Sequence, residues 1–232
     1  MAEDNFQRFA NLGFEKFREM AKDDTLTANE KIGFPECYRG GKEGVIFEDI
    51  KSKVPPIMEK GSIVLDIGPG CGPLASVIID HCRSYNHHLI LVDSEEMLDH
   101  VPDEDFIEKV PAFYPECPEL FQKYSEKVDV IICYSVLHYV FVEASFWRFL
   151  DKSMSLLNHR GHMLLGDIPN VSKRKRFFSS STGVSFHKQF TGKNEPPLVE
   201  HLKIEEDTMD DSVILGLLMR ARLAGFDSYV LP

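Results

Sequence analysis

No stretch of the 232 residues approaches the ~20 consecutive apolar residues that a membrane-spanning helix needs. The opening MAEDNFQRF is acidic and polar, where a secretory leader is basic and then apolar. Membrane insertion and export are therefore not expected. Cysteine is scarce: Cys37, Cys71, Cys82, Cys117 and Cys133 are an odd set with no C-x-x-C pair, which suits a reducing compartment and offers no zinc cluster. A cytoplasmic protein without a metal is the expectation. Basic residues are also in deficit, 26 Lys and Arg against 37 Asp and Glu, and a net charge of −11 opposes coating a polyanion. Broad nucleic-acid binding is excluded on that ground. Internal repeats and low-complexity linkers are missing as well. The remaining composition, 43% hydrophobic and 27% charged, is that of an ordinary globular chain.

The first sixty residues read as a helical cap. Phe6, Phe9, Phe17 and Met20 fall at helical spacings within 3–22, with Gly13 as the weak point. Thr27 and Glu30 fit a capping box, Gly33 to Pro35 break the chain, and a second helical pattern runs over 42–53. From residue 61 the pattern changes. SIVLDIG (62–68), HLILVD (88–93), KVDVIICYS (127–135) and GHMLLGD (161–167) are apolar throughout and end on polar residues. Runs of that kind, separated by helical segments such as PLASVIIDHC (73–82) and SEEMLDHV with Ser94 as its N-cap, indicate a parallel sheet covered on both faces. The fold class is α/β, doubly wound and mostly parallel, with domains 1–60 (helical cap) and 61–232 (sheet domain). The segment VSKRKRFFSSSTGVSFHKQFTGKNEPPL, rich in basic and small residues, reads as a loop or broken helix. Residues 210–226 read as a helix from Asp210 to Gly225, and DSYVLP begins a further strand.

In open parallel sheets ligands bind beyond the carboxyl ends of the strands, so the chemistry is sought at Asp66, Asp93, Tyr134, Ser135 and Asp167. The turn after the first strand, DIGPGCG, carries Gly68, Gly70 and Gly72, where glycine permits positive φ and close approach of a ligand. A dinucleotide fingerprint requires glycine where Pro73 stands, and no G-K-[ST] follows, so the nicotinamide and P-loop readings lose ground. Asp93 lies 21 residues after Gly72 at the end of the next strand, where a carboxylate can accept from both hydroxyls of a ribose. Together these point to an adenosine-like ligand, although Asp93 beside Ser94 also suits a helix N-cap.

VLDIGPGCG, LVDSEEML, VDVIICYSVLHYV and the G-x-x-L-L-G-D strand, taken in this order over 62–168, resemble the successive motifs of class I S-adenosylmethionine-dependent methyltransferases. The resemblance implies a Rossmann-like fold and S-adenosylmethionine as cofactor, with S-adenosylhomocysteine as product and no metal. It places Gly68, Pro69, Gly70, Cys71 and Gly72 under the methionine part, Asp93 and Ser94 at the ribose, and Met97 near the adenine. Asp66 would orient the loop, and Tyr134 and Ser135 would line the cofactor. FPECYRGGKE and GDIPNVSKRKRFF are more loosely similar to methyltransferases found with bacterial surface-polysaccharide genes. The family plan ends in an antiparallel strand pair, so this chain, with one strand after its last helix, is expected to lack the last strand of the sheet.

The acceptor side is read from position along the chain. His138 and Tyr139 open the helix after the fourth strand and Asp167 closes the fifth, which makes His138 and Asp167 candidate bases, against the plainer readings of a core histidine and a turn residue. Tyr38, Arg39 and Lys42 lie in the glycine-rich hinge of the cap, and Lys173 to Arg176 form the lone basic run. Tyr38, Arg39, Lys42, Tyr139, Arg174 and Arg176 are the candidate acceptor contacts, against an ordinary solvated face. Met97 is equally natural as a core methionine, and Cys71 has no base pattern beside it, so it is not read as a nucleophile. The expectation is O-methylation of a small polar or anionic acceptor, such as a sugar, nucleotide-activated sugar or phosphoramidate. A non-catalytic cofactor-binding module and methylation of protein or nucleic acid are the alternatives. Oligomeric state is not readable.

Overall fold

The computed structural model describes residue 9 and residues 12–232, apart from the side chains of Cys37 and Tyr38. These fall into two compact units, one up to Asp167 and one from Ile168.

In the first unit the helices α1 (Phe14–Ala21), α2 (Ala28–Lys31), α3 (Glu36–Arg39) and α4 (Glu43–Lys53) precede the sheet, and a 3-10 turn over Pro55–Met58 leads into it. Helix α1 starts directly after Gly13, which is extended; the rest of the helical pattern read over 3–22, apart from residues 9 and 12, lies outside the described residues. Thr27 and Glu30 form the full capping box of α2. Next in the chain come β1 (Ile63–Ile67), α5 (Pro73–Ser84), β2 (His88–Asp93), α6 (Glu95–Leu98), β3 (Ile107–Pro111), α7 (Pro118–Tyr124), β4 (Val128–Tyr134), α8 (Leu137–Glu143), α9 (Phe146–Leu156) and β5 (Leu157–Gly166).

All five strands are parallel and stand in the order β3-β2-β1-β4-β5. The chain leaves β1 toward β2 and β3, then returns to the other side of β1, so strand order reverses between β1 and β4. That is where an open sheet forms a crevice at its carboxyl edge. In register, Asp66 stands beside Leu91 of β2 and Ile132 of β4, and the strand interiors are buried on both faces. Val64, Leu89, Leu91, Val130 and Ile132 share one core with Phe47 and Ile50 of α4 and Leu74, Ile78 and Ile79 of α5. Each such fully buried aliphatic side chain contributes about 1.5–3 kcal/mol.

Strand β3 is absent from the sequence reading. It is a half-buried edge strand with Glu108 and Lys109 at its centre, so it shows no continuous apolar run. Strand β5 begins at Leu157, earlier than the apolar run at 161: Leu157 pairs with Val128 ahead of an irregularity in the ladder, and regular pairing resumes at His162 opposite Val130.

The second unit holds α10 (Val171–Phe178), α11 (Ser181–Thr191) and α12 (Asp211–Leu223). The basic stretch is thus two helices, each opened by a side-chain cap, Asn170 and Ser180. Residues 227–232 are not a strand, contrary to expectation. Arg222 donates from Nη2 to the Ser228 carbonyl at 2.7 Å, and Ser228 Oγ donates to the Leu218 carbonyl at 3.1 Å. These bonds fold the tail back on α12, and no ladder partner exists for it among the described residues.

Candidate functional site

At the carboxyl edge of the sheet the ends of β1, β2 and β4, the segment after β3, and the helices α1, α3 and α8 line a cleft that opens to solvent.

The glycine turn forms its floor. Gly68 and Gly70 have φ of +70° and +61°, a left-handed backbone that glycine adopts without strain. A Cβ at Gly68 would lie 2.7 Å from Val136, and one at Gly70 2.5 Å from Ile32. Gly72 is in an ordinary extended conformation, but a Cβ there would also run into Ile32. The alternate glycines are therefore required in two ways: positive φ at 68 and 70, and the close seat of Ile32, from the segment after α2, over 70 and 72.

Asp93 ends β2 facing this turn. Gly70 N–H donates to one carboxylate oxygen at 2.9 Å and Ser94 N–H to the other at 2.7 Å. Burial raises its pKa to about 6 against the lowering effect of those two bonds. A carboxylate has roughly four acceptor positions, so Asp93 keeps capacity toward the cleft. Asp66, one strand over, is buried without a hydrogen bond among the described residues, and burial together with the Asp93 charge pushes it up to about 7. It does not line the cleft.

Gly68, Pro69, Gly70, Gly72, Asp93, Met97, Tyr134, Ser135, Arg39 and Tyr139 all do. Ser94 caps α6 through its hydroxyl, and the Cys71 thiol is pushed up by burial; neither lines the cleft.

On the β4 side a polar chain runs from cap to sheet. Arg39 Nη1 donates to Ser135 Oγ at 3.1 Å, and Ser135 Oγ donates in turn to Asp167. Ser135 and Asp167 end neighbouring strands with φ of +61° and +52°. Such non-glycine conformations cost about 1–3 kcal/mol each and collect at functional sites. His138, in the first turn of α8, has a buried Nδ1 without a partner; burial lowers its pKa while the Asp167 charge opposes. Tyr139 packs edge-on against Phe17, and its phenol is pushed up to about 12 by burial and by Glu143.

Other candidates lie elsewhere. Lys42 caps the start of α4 with an exposed side chain, and the side chain of Tyr38 lies outside the described residues. Arg174 and Arg176 belong to the second unit, where they pair with Glu205 and Asp211.

Sequence reasoning missed Phe14, Phe17, Ile32 and Phe34 of the cap, Ala112, Phe113 and Tyr114 after β3, and Val136, Val140 and Glu143 of α8. Phe17 looked like part of the buried stripe of an amphipathic helix, Phe34 stood in a chain break, and β3 went unseen. The cap is held in place by charge. Phe14 N–H donates to both oxygens of Glu143 at 3.2 and 3.0 Å, an anion at a helix N-terminus. Arg18 forks onto Glu96 of α6 with two bonds of 2.9 Å.

The fold is similar to that of a candidate S-adenosyl-L-methionine-dependent methyltransferase from Methanococcus maripaludis, with a TM-score of 0.52 and 13% identity over 95% of this chain and 88% of that one. Two further similar structures are the N-methyltransferase NodS from Bradyrhizobium japonicum WM9, solved with S-adenosyl-L-homocysteine (TM-score 0.46, 14% identity, 65% of this chain and 70% of that one), and a SAM-dependent methyltransferase from Aquifex aeolicus (TM-score 0.42, 15% identity, 57% and 69%). No protein-family model matches the sequence, and no curated protein does. The first likeness shows the fold: five parallel strands flanked by helices, as in Rossmann-like methyltransferases.

Proposed function

We propose that the chain is an S-adenosylmethionine-dependent methyltransferase of the cytoplasm that transfers a methyl group to oxygen on a small polar or anionic acceptor. The observation that carries the reading is the pairing, at the strand-order reversal, of the Gly68–Gly72 turn with the Asp93 carboxylate across an open cleft. The residues present fit that cofactor. Asp93 retains acceptor capacity for ribose hydroxyls, Met97 and Phe113 supply apolar walls for a base, and the glycine turn carries no side chain of its own at Gly68 and Gly70, where Val136 and Ile32 pack against it.

When bound, S-adenosylmethionine supplies an electrophilic sulfonium methyl. The chain's part is to hold the acceptor oxygen in line with it, and alignment of that kind is worth up to roughly 7–11 kcal/mol. Phe14, Phe17, Phe34 and Tyr139 give the cleft an apolar wall. A hydroxyl acceptor must also lose a proton. Neither expected base, His138 nor Asp167, lines the cleft; Asp167 touches Ser135, which does, so Asp167 acting through that hydroxyl is the group to take it, a contribution of typically about 10²–10⁴-fold. A phosphate-type oxygen is already anionic and needs no base. Sugars, nucleotide-activated sugars and phosphoramidates of bacterial surface glycans are the acceptor classes that fit the looser sequence similarity.

Transfer of labelled methyl from S-adenosylmethionine to such a panel tests the reading. Product formed by the wild type and lost with Asp167→Asn supports hydroxyl methylation; binding of the cofactor with no transfer to any acceptor supports a non-catalytic module instead.

A further inference from the structure

Arg39 is only 6% exposed, yet it forms no ion pair with any described carboxylate. Its guanidinium carbon lies 4.4 Å from the centroid of the Phe34 ring and 5.6 Å from that of the Tyr134 ring, so it is held among aromatic rings. Nη1 is spent on Ser135, and Nε is buried without a partner. A desolvated cation with an unsatisfied donor is costly unless an anion completes it, and the edge of a guanidinium that carries Nε matches a carboxylate side-on with two parallel bonds.

The position of this edge is informative. Asp93 ends β2 and Ser135 ends β4, with β1 and its glycine turn between them, so Arg39 lies across the turn from the ribose side. Its partner Ser135 is bonded to Asp167, the candidate proton acceptor. The neighbouring cleft wall is apolar and largely aromatic: Phe17, Phe34, Tyr134, Val136 and Tyr139.

We propose that Arg39 is the anchor for a carboxylate on the methyl acceptor, and that the acceptor is a hydroxylated aromatic acid whose ring lies against the cap aromatics. This rests on the methyltransferase reading and puts an aromatic acid in place of the glycan acceptors that the looser sequence similarity suggests. The carboxylate completes the Nε edge of Arg39, the ring lies along Phe17, Phe34 and Tyr139, and the hydroxyl is presented on the side of Asp167. A hydroxyl on an aromatic ring is also acidic enough for a single carboxylate or imidazole to suffice as base.

The test uses the full chain with the three hydroxybenzoate isomers and their methyl esters as probes, titrated with and without saturating S-adenosylhomocysteine. At least one isomer should bind the wild type about ten- to a hundredfold more tightly than its ester, the effect of losing a charge-assisted pair. Arg39→Met should remove that preference, and Arg39→Lys should restore part of it. Both variants should melt like the wild type and keep its affinity for S-adenosylhomocysteine within about threefold, since replacing a buried unpaired charge by an apolar chain of similar length is not destabilising. Equal binding of acids and esters, or no binding of any isomer, overturns the proposal. So does a large loss of S-adenosylhomocysteine affinity in Arg39→Met with unchanged affinity for 5′-methylthioadenosine, which lacks the amino-acid part, because Arg39 would then hold the cofactor's own carboxylate. If the wild type binds the acids but not S-adenosylhomocysteine, the methyltransferase reading fails and the carboxylate anchor stands.

Discussion

Two buried carboxylates at the strand ends govern how this protein responds to pH. Asp66 and Asp93 have folded-state pKa values pushed up to about 7 and about 6, from an ordinary 3.8. An acid whose pKa is raised on folding binds more protons in the native state, so each costs stability as pH rises from about 4 through its folded value. His87 acts in the opposite direction. Its Nδ1 accepts from Ser62 N–H at 3.0 Å, and burial lowers its pKa, so stability is lost as pH falls below its ordinary range near 6.5. Asp66→Asn should raise the unfolding free energy at pH 7.5, on the order of 1–4 kcal/mol, and flatten its slope between pH 4 and 7, read by urea melts across that range. An unchanged slope would show that Asp66 is not the group that titrates. At this scale the sequence was a good guide where strand ends coincide with polar residues, as at Asp93 and Ser135. It could not show that Arg39, 96 residues before Ser135, reaches that serine, since chain separation hides such a contact.

The glycine turn and the cap form one packing unit at the scale of elements. Glycine is needed at 70 for its φ of +61°, but at 72, where the backbone is ordinary, only for the space Ile32 fills. The two positions therefore respond differently to rescue. Gly72→Ala should push Ile32 and its segment off the turn, lowering amide protection over residues 28–39 and weakening cofactor binding about tenfold, and Gly72→Ala with Ile32→Ala should recover most of both, a coupling of order 0.5–3 kcal/mol. Gly70→Ala should not be rescued by Ile32→Ala, because strain in the backbone persists. Hydrogen exchange on the four variants decides it. The turn, the helix after it and Ser94 as N-cap were legible because glycine, proline and capping residues act locally. The role of the cap was not: Phe17 has the spacing of a core residue, Phe34 stands inside the Gly33 to Pro35 break, and only the fold brings them with Phe14 to a cleft. Strand β3, with Glu108 and Lys109 at its centre, escaped for a related reason, since a half-buried edge strand lacks a continuous apolar run.

The whole chain divides unequally, a sheet-bearing unit up to Asp167 and a smaller helical one after it. Parallel architecture was legible from four apolar runs ending on polar residues, whereas the expected strand over 227–232 proved to be a tail bonded back to α12 through Arg222. Between α11 and α12, residues 193–208 carry no helix or strand and are largely exposed, Leu198, Leu202 and Ile204 among them. Limited proteolysis should nick there first, with mass spectrometry locating the cut; first cleavage inside α12 would contradict the assigned structure. The measurement that bears most directly on the central claim is a calorimetric titration of S-adenosylhomocysteine into the wild type and Asp93→Ala. The account predicts micromolar binding to the wild type and at least a tenfold loss in the variant, comparable with removing hydrogen bonds to a charged group. No heat from a folded wild type, or equal affinity in the two proteins, would contradict it.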